Sequence, residues 1–551
     1  MRLLIILLLG CSVARASLLG HWPLEKDSED LSGFKRHPAN YAVSFERPAP
    51  DGRPAAYFNG RDAWLELSPD LMPALKNEDF SISMEIYVNT ALDDALGDLI
   101  SQFDAETRTG FTLGIADYSG VTNSSPNVRN LFWGMDSGSE ALWEFCGRPG
   151  KAILIFGFAV LDGALYAGTC EPGADESGHV YRYEGDSRWV DCGAPDPSNA
   201  IMAVAVHDGK LYAGAGWYDT TGSSLEASAN ERPGGKIYCY QGGQSWEYCG
   251  QLSNAETGEA GTLGGLAVYQ GALHATTLKK EGFGLYRHEG GTQWRYLGNP
   301  GQRVLSPHVF NGGLYMVSYD APGGPFLFDG KDWSYRGASL DPPIHQDYSF
   351  AVFGGKLHLS TWPQAYVYRL EEESWVAVGR PGEELETMGM MVYNGKLYTG
   401  TLPTSRVYRY EGKDLWTAVS DQLDTAEGRY RRTWSMALYD GKLFCGTLPS
   451  GNVHSLTTGN CVSWDHSLAA GWRHVTATRQ GGSLKLYVDG NCVASRGDEK
   501  SDALMLNQEE PWLIGFGPGD HFNGWMRNLR LHDSCLSDKE IAGLYASTKK
   551  Q

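Results

Sequence analysis

Beyond residue 16 the chain has no apolar run long enough to cross a bilayer, so the mature sequence contains no predicted membrane span. Positive charge is scarce: 46 Lys and Arg stand against 66 Asp and Glu, a net charge of -20. Such a surface is repelled by nucleic acid and by anionic lipid, and no basic cluster offsets it, which excludes both as expected partners. No two cysteines have Cys-x-x-Cys spacing, which removes zinc ribbons and thioredoxin-type sites at the level of motif. Also absent are a Gly-x-Ser-x-Gly elbow, a Gly-x-x-x-x-Gly-Lys phosphate loop, His-Glu-x-x-His and an Asp-x-Asp-x-Asp-Gly calcium loop. Long amphipathic helical patterns are missing as well.

What is abundant points one way. Aromatics make up 12% of residues, with 69 Gly and 29 Tyr, the composition of an all-β chain of short strands and tight turns. Residues 1–16 read as a signal peptide: Arg2, an apolar stretch, then Ala14-Arg15-Ala16 as the cleavage site. Cleavage there leaves a secreted, periplasmic or cell-surface protein. Leu8-Leu9-Gly10-Cys11 offers the alternative of a lipoprotein acylated at Cys11. Nine cysteines follow Cys11, an odd number, so at least one is unpaired in a monomer. Cys239 with Cys249, and Cys492 with Cys535, stand as either bridges or buried small residues.

From residue 142 to about 459 the chain repeats itself. Each repeat runs as an apolar strand, a turn ending in Gly, a Leu-Tyr-x-Gly-Thr-like strand, a loop, a Val-Tyr-Arg-Tyr-Glu-Gly-like strand, and a Trp with Gly four residues on. The marker leucines Leu165, Leu211, Leu273, Leu314, Leu357, Leu397 and Leu443 give seven repeats, spaced 46, 62, 41, 43, 40 and 46 residues apart. That period suits four short antiparallel strands per repeat, and the long gap is an insertion between Gly214 and Lys236. The expectation is a seven-bladed β-propeller over residues 141–460. The Trp-x-x-x-Gly copies begin at Trp143, Trp189, Trp246, Trp294, Trp333 and Trp375. Trp143 has no repeat before it, whereas the last repeat loses the pattern near Trp464. The outer strand of the last blade is therefore expected from residues 142–147.

On either side lie strands of another kind. Residues 80–88 alternate apolar and polar, the period of a strand with one buried face. Further strands are predicted near residues 18–24, 63–67, 99–103, 110–115 and 131–134, and again near 471–478, 483–490, 512–515 and 528–531. Ser537 is placed to cap a short terminal helix. The run Trp472 to Val475, Leu484-Lys485-Leu486-Tyr487-Val488-Asp489-Gly490, Ile514-Gly515, Phe522-Asn523-Gly524 and Leu536-Ser537-Asp538-Lys539-Glu540-Ile541 resembles the second half of a laminin G-like domain of the concanavalin A-like jelly-roll superfamily. Asn59-Gly60 and residues 80–88 resemble its first half. The resemblance implies one jelly roll made of residues 17–140 and 461–551, with the propeller inserted.

The resemblance also implies calcium at a sheet edge, held by hard oxygen ligands. The position where the family places an acidic residue is Arg527 here. Asp27, Asp30 and Asn523 are the candidate ligands, with ordinary turn chemistry as the competing role. On the propeller, the loops between blades and between second and third strands share one face. They carry Trp217, Tyr218, Tyr319, Trp362 and Trp434, expected to stack on sugar rings, beside Arg431, Arg432, Asp347 and two histidines. Catalysis there would use His308 or His345 as base with Tyr348 and Arg432. The leading expectation is an exported, non-catalytic protein that binds glycan or another extracellular ligand. A secreted polysaccharide lyase or glycosidase and a scaffold for protein contacts are the alternatives.

Overall fold

Phe80, Ile82, Met84, Ile86 and Val88 point to one side of their strand and are buried, as their spacing requires. The computed structural model describes residues 17–71, 75, 79–116, 124–125, 129–497, 506 and 509–549. Residues 1–16, with the leader and Cys11, lie outside the described residues. Phe80–Val88 is flanked by Gly471–Gln480 on one side and Asn523–His532 on the other, so the centre of this sheet joins segments far apart in sequence. Leu18–Trp22, Ala56–Asn59, Ser483–Val488 and Asn491–Arg496 complete it.

A second sheet runs in the order Ala39–Tyr41, Trp64–Leu67, Trp512–Ile514, Gly97–Asp104, Thr109–Ala116, Asn130–Ser137 and Asn460–Ser467. Between the sheets Trp22, Phe58, Phe80, Phe111, Trp133 and Trp512 are fully buried. Phe111 lies 5.1 Å from Trp133 and 4.8 Å from Trp512, centroid to centroid, in tilted and edge-on geometries that aromatic quadrupoles favour. Trp464 belongs to this second sheet, opposite Leu131, which is why the repeat fails there. Helix Asp538–Thr548 starts at Ser537 in a capping box with Glu540.

Residues 142–457 fold as four-stranded antiparallel units, seven among the described residues. Their first strands, Leu154–Leu161, Ala200–His207, Leu263–Tyr269, Val304–Phe310, Gln346–Phe353, Glu386–Tyr393 and Arg432–Tyr439, touch in succession, and the last touches the first. They are called units 1 to 7 in that order. The fourth strand of unit 7 is Leu142–Phe145, paired with Val453–Thr457.

The repeated tryptophan latches each unit to the one before. Trp189 Nε1 donates to the Cys146 carbonyl, Trp246 to Cys192, Trp294 to Cys249, Trp375 to Arg336 and Trp416 to Val378, each at 2.8 Å. Trp143 donates to Val419 at 2.7 Å, so the borrowed strand carries the closing latch. In unit 4 the Trp333 indole N–H is buried without a partner among the described residues. The glycine that follows the tryptophan has a steric reason at Gly147: its φ is +87°, and a Cβ would lie 2.4 Å from the Ser187 carbonyl oxygen.

The turns between first and second strands all emerge on one mouth of the ring, and the second sheet covers that mouth. Gly163 N bonds the Asp465 carbonyl (2.8 Å), Gly354 N that of Pro518 (2.7 Å), and Asn394 Nδ2 that of Met135 (3.0 Å). At this seam burial pushes Asp98 up to about 7, even though its Oδ2 accepts the Gly519 N–H at 2.7 Å. Burial likewise raises Asp465 to about 6. A carboxyl raised above its unfolded value stabilises the fold fully below that unfolded value, and the contribution is lost as pH rises through the folded pKa. The contribution of Asp98 is therefore expected to be lost between about pH 5 and pH 8, read as the difference between parent and variant at constant ionic strength. Asp98→Asn should remove that loss, shifting the stability difference between variant and parent by up to about 3 kcal/mol across the window. Parallel slopes for variant and parent would refute this role of Asp98.

The cysteine pairs are not bridged. Cys239 and Cys249 are buried thiols, Cys492 is exposed, and all nine described cysteines are free. Among the described residues no helix is long and apolar enough to cross a membrane.

Candidate ring-mouth site

The open mouth is lined by the starts of the first strands. In each unit the register slips near the third position of the first strand, a β-bulge repeated around the ring, so the opening residues are aimed separately from the rest of the strand. Gln346, Glu386 and Arg432 hold the same place in units 5, 6 and 7, as first residues of their strands. Two residues on come Tyr348, Met388 and Trp434, directed to the same side by the strand period.

These side chains converge. Arg432 Nε lies 3.1 Å from Glu386 Oε2, with both side chains almost fully buried. Tyr348 OH is 3.1 Å from Glu386 Oε1 and 2.9 Å from Gln346 Oε1. Tyr319 meets Tyr348 edge-on at 5.2 Å, and Phe156 stands between Tyr218 (5.0 Å) and Trp434 (5.6 Å). The Glu386 carboxylate keeps Arg432 charged, raising its pKa despite burial, whereas burial beside Glu386 drives the Tyr348 hydroxyl well above its ordinary value.

The insertion closes over this cluster. Asp219 caps a 3-10 turn, Thr220–Ser223, by accepting the Thr221 N–H. Ser223 Oγ then accepts from Arg432 Nη1 at 2.9 Å and bonds the Tyr218 hydroxyl. Asn199 holds the base of the loop through Tyr218 N (2.7 Å) and Tyr218 O (2.9 Å). What remains at the surface is a rim. Lys279 Nζ sits 5.0 Å above the Trp217 ring, Trp362 packs edge-on with His345 at 5.2 Å, and Arg429 lies 4.9 Å from the Tyr430 ring.

The site residues expected from sequence therefore separate. Tyr218, Tyr319, Tyr348, Arg432 and Trp434 form the interior; Trp217, Trp362 and His345 lie on the rim. His308 belongs to neither. It follows the bulge in Val304–Phe310, its ring packs 5.9 Å from Phe350, and burial lowers it to about 3, so it stays neutral within the sheet interior. It is not available as a base at the mouth. Asp347, raised to about 8 by burial, accepts Ser318 N and Gly324 N at 3.1 Å and supports the backbone. Glu386 went unnoticed in the sequence, although it precedes Leu397 by eleven residues, as Gln346 precedes Leu357 and Arg432 precedes Leu443. Aligning the repeats on their marker leucines would have found it.

The calcium candidates do not converge. Asp30 spends its carboxylate on His21 N (3.0 Å), Ser32 N (2.8 Å), Ser32 Oγ (2.8 Å) and Arg36 N (3.0 Å), bonds that hold its pKa down. Asp27 accepts Glu29 N at 3.1 Å. Both are turn residues near His21, which pairs with Arg530. Asn523 begins the same strand seven residues earlier, roughly 23 Å away. Arg527 is clamped to Glu85 (3.0 and 3.3 Å), and its guanidinium lies 3.9 Å from the Trp472 ring.

Residues 410–542 match a laminin G-like family model described as the concanavalin A-like lectin/glucanases superfamily. No match was found among curated proteins. Among solved structures, YCF48 bound to D1 peptide aligns at 12% identity and a TM-score of 0.40, over 58% of this chain and 98% of that one. The GH74 xyloglucanase from Xanthomonas campestris aligns at 16% identity and 0.40, over 57% and 53%. Trypanosoma rangeli sialidase aligns at 10% identity and 0.31, over 74% and 99%. Likenesses of this size carry no functional inference.

Proposed function

We propose that the chain is a seven-bladed β-propeller inserted between the two halves of a laminin G-like jelly roll, exported by its leader, and that it recognises glycan at the open mouth of the ring. The observation that carries this reading is the rim. Trp217, Trp362 and Tyr430 are partly exposed around a capped centre, each beside a cationic or titratable group. Flat aromatic faces suit the apolar face of a sugar ring, while Lys279, His345 and Arg429 supply donors to its hydroxyls. The interior beneath pairs its charges: Arg432 answers Glu386, and Ser223 accepts from a second guanidinium donor, Nη1. That arrangement ties the charged groups of the mouth to one another and holds it rigid.

The test uses the mature chain on immobilised neutral and acidic polysaccharides, with released products followed in the same samples. Retention without turnover is the expected result. Trp217→Ala and Trp362→Ala should each weaken retention about tenfold or more, the scale of losing one stacking contact, with retention measured well below each variant's thermal midpoint. Unsaturated uronates or new reducing ends would overturn the binding reading in favour of a carbohydrate-active enzyme. Retention unchanged in both variants would move recognition away from this mouth.

A further inference from the structure

The covered mouth of the ring is not sealed everywhere. Between the first sheet's edge and the turns of units 3 and 4 lies a cleft of about 560 Å³, within the range of small-molecule sites and at a junction of two bodies, where such sites concentrate. Its floor is set by the loop after Phe80–Val88. Asp93 accepts Gly271 N through both oxygens (3.2 and 3.3 Å), and Asp94 accepts Gly312 N at 3.3 Å. These bonds fix the two turns against the sheet and leave the space between them open.

The walls carry both signs of charge. Arg47 stacks on Tyr57 at 4.1 Å and forms no ion pair among the described residues. Arg61 reaches across to the Asn311 carbonyl with one N–H, at 3.3 Å. Asp93, Asp94, Asp520 and Asn523 line the same space. A full anion entering here meets three carboxylates, and a full cation meets two guanidiniums. A hydroxyl can accept from an arginine and donate to a carboxylate at once, so a ligand dense in hydroxyls satisfies both walls without a net charge.

We infer that this seam cleft is a second binding site, taking a short neutral saccharide. It stands independently of the ring-mouth reading, because it uses no residue of the rim. With both sites filled by one polysaccharide, the second contact becomes intramolecular and raises apparent affinity without any new chemistry.

The experiment is calorimetric titration of the mature full-length chain with cellobiose, maltose and lactose, alongside glucuronic acid and glucosamine as charged probes. At least one neutral disaccharide should bind and both charged probes should bind more weakly. Ala91→Trp, on the exposed loop that lines the cleft, should weaken binding at least tenfold by filling it; Arg61→Ala should weaken it several-fold and serves if the tryptophan variant fails to fold. A Trp217→Ala/Trp362→Ala chain, with the ring mouth weakened, should still bind the disaccharide, and adding Ala91→Trp to it should abolish that remaining binding. Loss of binding in that chain would assign the saccharide to the ring mouth and overturn the proposal. So would tighter binding of a charged probe, binding indifferent to Ala91→Trp and Arg61→Ala, or no binding of any neutral disaccharide.

Discussion

Arg432→Met should destabilise the ring by about 3–5 kcal/mol, read from urea unfolding at equilibrium. The substitution keeps an unbranched apolar stem and removes the guanidinium head with its charge and donors. Glu386 is then left buried with Tyr348 and Gln346 but no cation, and Ser223 loses the guanidinium that holds the insertion over the mouth. Most of the loss comes from stranding a carboxylate, so the double variant Arg432→Met/Glu386→Gln should recover most of it. The pair itself contributes little beyond an apolar equivalent, since burying both ions costs about what their attraction returns. A single variant losing less than about 1 kcal/mol would mean that water reaches Glu386 and that the mouth is not sealed.

A chain comprising residues 148–459 should precipitate on refolding, whereas residues 141–459 should give a soluble ring. The two differ by the segment that holds Leu142–Phe145. Without it Val453–Thr457 becomes a bare edge, and an unpaired edge strand is a template for other chains. The same cut removes the Trp143 donor to Val419 and the Cys146 carbonyl that accepts from Trp189, so two of the inter-unit latches go at once. Both pieces lack the sheet that covers the ring's other mouth, which makes the comparison specific to the strand. Precipitation of both would show that the covering sheet holds the ring instead.

Much of the architecture is written in short-range pattern. The period-two alternation of residues 80–88 places the strand, and the orphan Trp143 places the closing segment, because a pattern missing at one end and surplus at the other has one economical solution. Trp416 is less visible: its latch to Val378 is intact, but Ser420 stands where the other copies have Gly. Alternation cannot say whether the polar side of a strand meets water. Ser81, Ser83 and Glu85 read as a solvent face, yet all three are buried, Glu85 under Arg527 and Ser81 under the Ser534–Leu536 segment.

The candidate site was less legible than the fold, and for a physical reason. Read one segment at a time, His308 and His345 look alike, yet His308 lies six residues before its marker leucine, inside the first strand, and His345 twelve before its own, ahead of the strand. The pairing of Glu386 with Arg432 is a contact between adjacent units, invisible to any reading that takes one repeat at a time. The Asp-Gly and Asn-Gly turns look like products of repetition, but the structure uses them as the docking surface for the second sheet.

The central position of Phe80–Val88 has a bearing on how the chain is made. Both of its neighbours in the sheet, Gly471–Gln480 and Asn523–His532, are translated roughly 380 residues or more after it. At about 5–20 residues per second, the first strands wait roughly 20–75 s with their apolar side unpaired while the whole ring is synthesised. The nascent first half is therefore a natural client for a holding chaperone, and a ring that folds promptly shortens the exposure by bringing the two halves to the same mouth.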